Sequence, residues 1–408
     1  MNKTHNEIID NRKILEWGNY VDLFQADKNS PAIINKHGYQ IKDRAGYSNY
    51  LQELYQIIDG NDLQISLQKL QIIVADAYFT LKEKPDLIIN LRDEIEKIPM
   101  ETVHFLLPLF NAHIEENKLT VWNYTFVKYQ FIAEYVKEIE YPPMGGISNK
   151  DFCDSPIFED TPFVDISVNA RDREYAQDFA KDEFRAFVSF LRVAVYYNSR
   201  GIAEPISDRN TYINRESFIV SQNRITKYFS PNPLGNKYYD ISIASKYFDE
   251  MNNESKHLFE ILKKANESRT NKESRTEIEK RIYNAIIWLG MALEEKNDSV
   301  AFIQAMFSIE CLLQQQEEPF SKSTVALISE EIAFLLGNSR DERKQFEKQF
   351  KDFYKTRSKI VHGKATDLSN VQVFEIVELS KRIIKALLVM NVDSLKSLSE
   401  VISDLRYS

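Results

Sequence analysis

The stretch that decides the fold reads RDERKQFEKQFKDFYKTRSKIVHG, residues 340–363. Its aromatic residues recur at the spacing of one helix face, and most positions between them are charged. Gly363 is a usual helix-ending residue. The pattern therefore predicts an amphipathic helix from about Asp341 to His362. Its apolar face consists of Phe346, Phe350, Phe353 and Tyr354.

Apolar residues at helical spacing also occur on both sides of this helix. Three such segments precede it, and one that begins near Ser369 follows it. Together the five segments predict an all-helical bundle of roughly 130 residues. The apolar positions of the other four are Ile278, Ile282, Ile286, Leu289 and Leu293; Phe302, Met306, Ile309 and Leu313; Ile328, Ile332 and Leu335; and Phe374, Val377, Ile384 and Leu388.

The region before the bundle has mixed patterns that predict a mainly helical structure with a few short strands. Segment 124–139 fits both a helix and a strand, and stays open. The predicted fold class of the whole chain is mainly α. Helical spacing covers 63–84, 86–97, 101–116 and 183–197, and strand patterns cover 164–168, 217–221 and 238–243.

A polar stretch separates the two regions. Ala265 is the single apolar residue between Lys263 and Glu277, as expected of a linker or an exposed helix end. We therefore expect an N-terminal region, 1–262, and a helical bundle domain, 275–408. Turn residues between 141 and 160 are a candidate further division of the N-terminal region.

Composition narrows the class of protein. The chain has 408 residues, of which 43% are hydrophobic and 28% charged, so it can bury a sizeable core and is neither collagenous nor wholly disordered. It lacks an apolar run of membrane-spanning length and an apolar N-terminal signal core, which predicts a cytoplasmic protein with no membrane partner. Cys153 and Cys311 are too few for a disulfide framework and are expected to be reduced packing thiols.

Motifs of common enzyme classes are absent from the sequence. It contains no phosphate-binding loop, no nucleophile elbow, no HExxH zinc motif and no dinucleotide fingerprint. One acidic segment could gather a hard cation, but its spacing fits no calcium loop, so a solvated loop is favoured. No metal and no other cofactor is predicted. The acids of that segment are Asp151, Asp154, Glu159, Asp160 and Asp165.

Two residues near the end of the 341–362 helix are the candidate functional groups. Arg357 lies in the phase of the apolar face, where a charge needs an explanation. Its alternative role is structural, with its head paired to a carboxylate such as Glu310. His362 lies in the last turn, where an imidazole serves either as a general acid or base or simply as a cap.

The same helix carries the clearest basic cluster of an acidic chain. The whole chain has a net charge of −9, but residues 340–364 hold nine Lys or Arg and four Asp or Glu, a local charge of +5. Attraction of phosphate is the functional interpretation, and a solvated face with ion pairs is the alternative. The candidate RNA-binding residues are Lys351, Lys355, Lys359 and Lys364.

These residues resemble a known family. The sequence SIECLL with Glu310, followed some fifty residues later by FYKTRSKIVHG, is similar to the Apea-like branch of the HEPN superfamily. The resemblance covers about 275–395. Of the six histidines, only His362 has an arginine five positions before it.

The resemblance implies a helical domain that pairs with a second copy and cuts RNA without a metal. His362 would be the general acid or base, and Arg357 would stabilise charge on the phosphoryl group. Glu310 could orient Arg357, and Ser358 is the adjacent supporting residue. Family members often act in antiviral defence or as toxins, so the N-terminal region would bind an unknown trigger or regulate the bundle.

Two other interpretations stay open. The bundle could be a non-catalytic RNA- or nucleotide-binding protein or a scaffold that dimerises. Alternatively, Arg357 and Glu310 could form a buried ion pair at a dimer seam, where the loss of one partner costs about 3–5 kcal/mol.

Overall fold

The computed structural model describes most of the chain. The described residues are 14–15, 24–26, 39–41, 44–84, 86–87, 89–109, 112–121, 123–139, 162–196, 215–221, 224–230, 241–243, 253–267, 275–295, 297–314, 324–363, 368, 370–390 and 392–407.

The fold is mainly α with a C-terminal helical bundle, which confirms the predicted class. The helices before the bundle are α1 (Arg44–Ile57), α2 (Leu67–Glu83), α3 (Leu91–Glu96), α4 (Ile132–Ile139), α5 (Arg173–Tyr196) and α6 (Asn253–Glu267). Those of the bundle are α7 (Glu277–Glu294), α8 (Asp298–Leu313), α9 (Thr324–Leu336), α10 (Arg340–Val361), α11 (Asn370–Met390) and α12 (Leu395–Tyr407).

The strands all lie before residue 244 among the described residues. They are β1 (Ile14–Leu15), β2 (Phe24–Ala26), β3 (Tyr39–Ile41), β4 (Ile89–Asn90), β5 (Glu101–Pro108), β6 (Ala112–Ile114), β7 (Lys118–Val121), β8 (Tyr124–Lys128), β9 (Pro162–Ala170), β10 (Arg215–Ser221), β11 (Arg224–Ser230) and β12 (Ile241–Ile243). Six of them form one antiparallel sheet in the order β11-β10-β5-β9-β8-β7.

The prediction of a helix over 101–116 is wrong. This segment forms β5 and β6, and β5 pairs with β9 along its whole length, from Glu101 opposite Ala170 to Pro108 opposite Phe163. Val103 and Phe105 are buried on one face of β5, so alternating burial and ladder pairing override a helical spacing of leucines. Segment 124–139, left open from the sequence, contains both β8 and α4.

Helix α10 begins and ends as its sequence predicts. At its start, Ser339 and Glu342 form a capping box in which each side chain accepts a hydrogen bond from the other's backbone N–H. At its end, Gly363 adopts a positive φ of 68°, the left-handed conformation that glycine takes at low cost. Phe350 and Phe353 are buried, and Phe353 packs edge-on against Phe302 of α8. This packing fixes which side of α10 faces solvent.

One hydrophobic core joins the sheet to the bundle. A single buried cluster runs from β5 and β9 through α5 into α7, α8, α10 and α11. Helices α5 and α7 cross so closely that a Cβ on Gly290 would lie 2.5 Å from the Cβ of Ser189. The expected boundary near 263–277 therefore separates two regions that share buried contacts, and the division into domains stays a prediction.

Some expectations on individual residues have clear outcomes. The assignment of Asp165 to a solvated acidic loop is wrong, because this residue lies on β9, is 6% exposed and is hydrogen-bonded to His104. The other four acids of that segment, and Cys153, lie outside the described residues. Cys311 is a free thiol. Among the helices that the structure describes, none combines the length and the apolar character needed to cross a membrane.

Candidate functional site

The C-terminal half of α10 faces α8, and this contact holds Arg357. The Nε atom of Arg357 lies 3.4 Å from Oε1 of Glu310, and the two side chains are 23% and 14% exposed. The guanidinium carbon lies 5.7 Å from the ring centre of Phe307 and 5.5 Å from that of Tyr354. Both distances are within the range of cation–π attraction. The ion pair considered from the sequence is therefore present, together with aromatic contacts that the sequence did not indicate.

The two ends of the guanidinium have different surroundings. Its Nε atom is buried without a geometrically acceptable hydrogen bond, while the side chain as a whole retains about a quarter of its exposure. Within the described part of the chain, no group bonds the terminal nitrogens. Because these Nη atoms carry four of the five donors of arginine, most donors of Arg357 have no partner among the described residues.

Glu310 is a largely buried carboxylate, and the charge of Arg357 offsets the effect of its burial only in part. Burial raises the pKa of its carboxyl, and the positive charge of Arg357 lowers it, with burial the larger influence. The same burial raises the pKa of the neighbouring Cys311 thiol, and the charge of Glu310 raises it further. Glu310 and Arg357 therefore meet in a single contact of 3.4 Å, not in a tight two-point ion pair.

His362 lies in a different place from Arg357. It is the exposed C-cap of α10, and its backbone N–H donates to the carbonyl of Ser358 at 3.1 Å. Five residues of α-helix separate the two side chains by about 140° around the axis and about 7.5 Å along it. No hydrogen bond or ion pair joins them in the described structure. The structure thus brings Arg357 and Glu310 together and leaves His362 apart, while Ser358 contributes a backbone carbonyl.

The four lysines predicted to bind RNA differ in availability. Lys351 is bonded to Glu347, and Lys355 to Asp352 at 2.9 Å. Lys359 is exposed and has no ion pair within the described residues, and Lys364 lies outside them. The hydrogen bond from Lys355 lowers the pKa of Asp352. Two of the four predicted RNA-binding lysines, Lys351 and Lys355, are therefore already paired with carboxylates of α10.

A second polar cluster, on the sheet, was not recognised from the sequence. Nδ1 of His104 lies 2.9 Å from Oδ2 of Asp165, and the hydroxyl of Tyr135 donates to the same oxygen at 2.6 Å. Burial and the nearby Asp165 both raise the pKa of Tyr135. The alternation over 164–168 already placed Asp165 on the opposite strand face from its apolar neighbours, and this was the available signal.

Groups of metal-binding type do not assemble in the described structure. No three His, Cys, Asp or Glu side chains converge there in a way that could hold a metal ion. Comparison with protein-family models, curated proteins and solved structures found no match. The resemblance to the HEPN superfamily stays a prediction that rests on the residues of this sequence.

Proposed function

We propose that this protein is a metal-independent endoribonuclease of HEPN type that acts as a homodimer through its bundle. The observation that carries the proposal is the end of α10, where Arg357 keeps its terminal nitrogens open and His362 is exposed beside basic residues. Phosphodiester cleavage through the 2′-hydroxyl needs proton transfer and stabilisation of phosphoryl charge, which an imidazole and a guanidinium can supply.

The proposed chemistry follows from these two groups. An imidazole of His362 removes the proton of a ribose 2′-hydroxyl, and the 2′ oxygen forms a bond to the adjacent phosphorus. The bond from phosphorus to the 5′ oxygen breaks, and a protonated imidazole returns a proton to that oxygen. Arg357 binds the non-bridging oxygens as negative charge builds up on them. The products carry a 2′,3′-cyclic phosphate and a 5′-hydroxyl.

The separation of the two groups supports the dimer. A small phosphodiester cannot easily meet an arginine and a histidine that lie about 140° apart on one helix. A second copy that presents its own α10 end would supply the missing partner group. Three exposed apolar side chains, Val361 at this end of α10 and Val371 and Phe374 in the first turns of α11, are 55–62% exposed and offer surface for such a contact.

A regulatory or antiviral role for the N-terminal region belongs to the same proposal. The shared core and the close crossing of Gly290 and Ser189 provide a stiff connection between sheet and bundle. A trigger that binds the N-terminal region could act on the bundle through that connection.

The test is cleavage of mixed-sequence RNA by the purified full chain in the presence of EDTA. His362→Ala and Arg357→Ala should each abolish cleavage, and the wild-type fragments should end in cyclic phosphate. Arg185→Ala is the matched control, because Arg185 is an exposed helical arginine 3.5 Å from Asp182 and far in sequence from the site. Normal cleavage by both site variants would remove the enzyme from consideration.

A non-catalytic RNA-binding or scaffold role is the second candidate. It is favoured by the contacts of Arg357, since Glu310, Phe307 and Tyr354 suffice to explain this arginine as a packing residue. In that case RNA binds without being cut, and Arg357→Lys lowers stability but leaves binding unchanged. Dimer mass and RNA affinity measured for the same variants separate the two candidates.

A further inference from the structure

The outer face of α10 carries a row of cations that leads to His362. Arg340, Lys344, Lys348, Lys351, Lys355 and Lys359 fall within an arc of about 100° around the axis and extend over about 28 Å. We call these six residues the basic ridge. All except Lys351, which is half-buried, are exposed. His362 continues the same arc at the end of the helix, whereas Arg357 lies on the side that faces α8.

Four members of the basic ridge remain available for a ligand. Among the described residues, Arg340, Lys344, Lys348 and Lys359 have no carboxylate within ion-pair distance, in contrast to Lys351 and Lys355. The ridge thus keeps unpaired positive charge in a chain of net charge −9.

Three of the four acids of the helix have defined partners on the helix itself. Glu342 closes the capping box, and Glu347 and Asp352 bind lysines of the ridge. The charge of Lys348 also lowers the pKa of Asp352, although less than Lys355 does. Asp341 and Asp352 border the ridge on one side and do not interrupt it.

We propose that the basic ridge is a docking track for the phosphate backbone of single-stranded RNA, which it guides to His362. Residues four apart on the helix rise by about 6 Å, a spacing comparable to that of successive phosphates along one strand. A single row of cations addresses one backbone, whereas a duplex presents phosphates on both sides of a groove. The inference rests on the proposed function for the substrate but assigns binding to Arg340, Lys344 and Lys348, which the family resemblance does not mark.

The experiment measures binding of a fluorescent single-stranded RNA of about 12 nucleotides by anisotropy at several salt concentrations, with EDTA. The full chain carries His362→Ala so that no cleavage occurs. Lys344→Ala with Lys348→Ala should lower the slope of log affinity against log salt by about 1.4, at about 0.7 for each phosphate contact. This corresponds to about 25-fold weaker binding at 0.1 M salt, if the affinities converge at 1 M.

The matched control is Lys137→Ala with Lys396→Ala. These two exposed lysines lie on α4 and α12, and their loss changes the net charge equally. We expect their salt slope and affinity to equal those of the parent. Alanine is a good helix former, and unchanged thermal unfolding confirms that both double variants fold.

Several results would overturn the track. They are an equal loss of affinity in both double variants, equally tight binding of duplex RNA or of poly-glutamate, and no RNA binding by the parent chain. The cleavage assay separates this inference from the proposed function. A slope that depends on the ridge without cleavage by wild type keeps the track and removes the nuclease. Cleavage with no effect of the ridge does the reverse.

Discussion

Arg192 and Arg357 each lie on an apolar helix face, and their surroundings differ. Arg192 on α5 is 4% exposed and lies 3.0 Å from Glu294 on α7, at the seam between the sheet region and the bundle. Its other terminal nitrogen donates to the carbonyl of Gly290. Arg357 is 23% exposed and 3.4 Å from Glu310. A charge in an apolar phase therefore does not by itself indicate function, and the exposure of the side chain distinguishes the two cases.

The largest expected effect is at the buried pair of Arg192 and Glu294. Arg192→Ala removes the cation that faces the largely buried Glu294, and breaking such a buried pair typically costs about 3–5 kcal/mol. Urea unfolding of the purified chain measures the loss. Arg185→Ala, which removes an exposed pair with Asp182, should change the free energy of unfolding by about 0.5 kcal/mol or less. Similar losses in the two variants would mean that Arg192 is not a seam residue.

The close helix crossing beside that pair gives the next effect. A Cβ on Gly290 would lie 2.7 Å from the Cα of Ser189, so backbone must move. Gly290→Ala should lower the free energy of unfolding by about 1–3 kcal/mol.

Gly363→Ala is the informative comparison for Gly290→Ala. No atom of the described residues lies within 4 Å of a Cβ at Gly363, but its φ is +68°. The cost there is conformational, at about 1 kcal/mol. If Gly290→Ala proves the milder change in thermal unfolding, the tight crossing does not exist in solution.

The comparison of Arg192 with Arg357 also shows which features of the structure can be predicted from the sequence. Helical periodicity predicted the bundle and the end of α10 at Gly363, because both depend on local spacing. The pair of Arg357 with Glu310 joins residues 47 positions apart, and the sequence offered it only as an alternative, since both charges interrupt apolar helix faces. The contact of His104 with Asp165 depends on the register of β5 against β9 and joins residues 61 positions apart. No local pattern carries that register. Arg192 was likewise missed, because its partner lies on a helix about a hundred residues later.

The partly exposed pair of Arg357 and Glu310 should contribute less to stability than the buried pair of Arg192 and Glu294. Arg357→Ala removes a partly exposed ion pair and two ring contacts, so we expect a loss of about 1–2 kcal/mol in urea unfolding. A loss as large as that of Arg192→Ala would show that Arg357 is mainly a packing residue and would weaken the proposed nuclease. Arg357→Lys tests the charge separately, since lysine keeps the charge but loses the planar fork.

The smallest expected effect concerns two carboxylates that should respond to pH with opposite signs. Burial raises the pKa of Glu279, but hydrogen bonds from Lys264 and from the backbone of Thr276 outweigh burial, so that its pKa is lowered from the ordinary 4.5. Its stabilising contribution is therefore present above the ordinary value and is lost as pH falls through the lowered pKa.

For Glu310, burial outweighs Arg357 and the pKa is raised above 4.5. The folded chain then retains a proton that the unfolded chain has lost, so this contribution is present at low pH and is lost as pH rises through the raised pKa.

Urea unfolding from about pH 4 to pH 7 measures both effects. The stability advantage of wild type over Glu279→Gln should grow with pH, and its advantage over Glu310→Gln should shrink. Slopes of the same sign would mean that Glu310 is not desolvated, and that Arg357 holds its carboxylate as firmly as Lys264 holds Glu279.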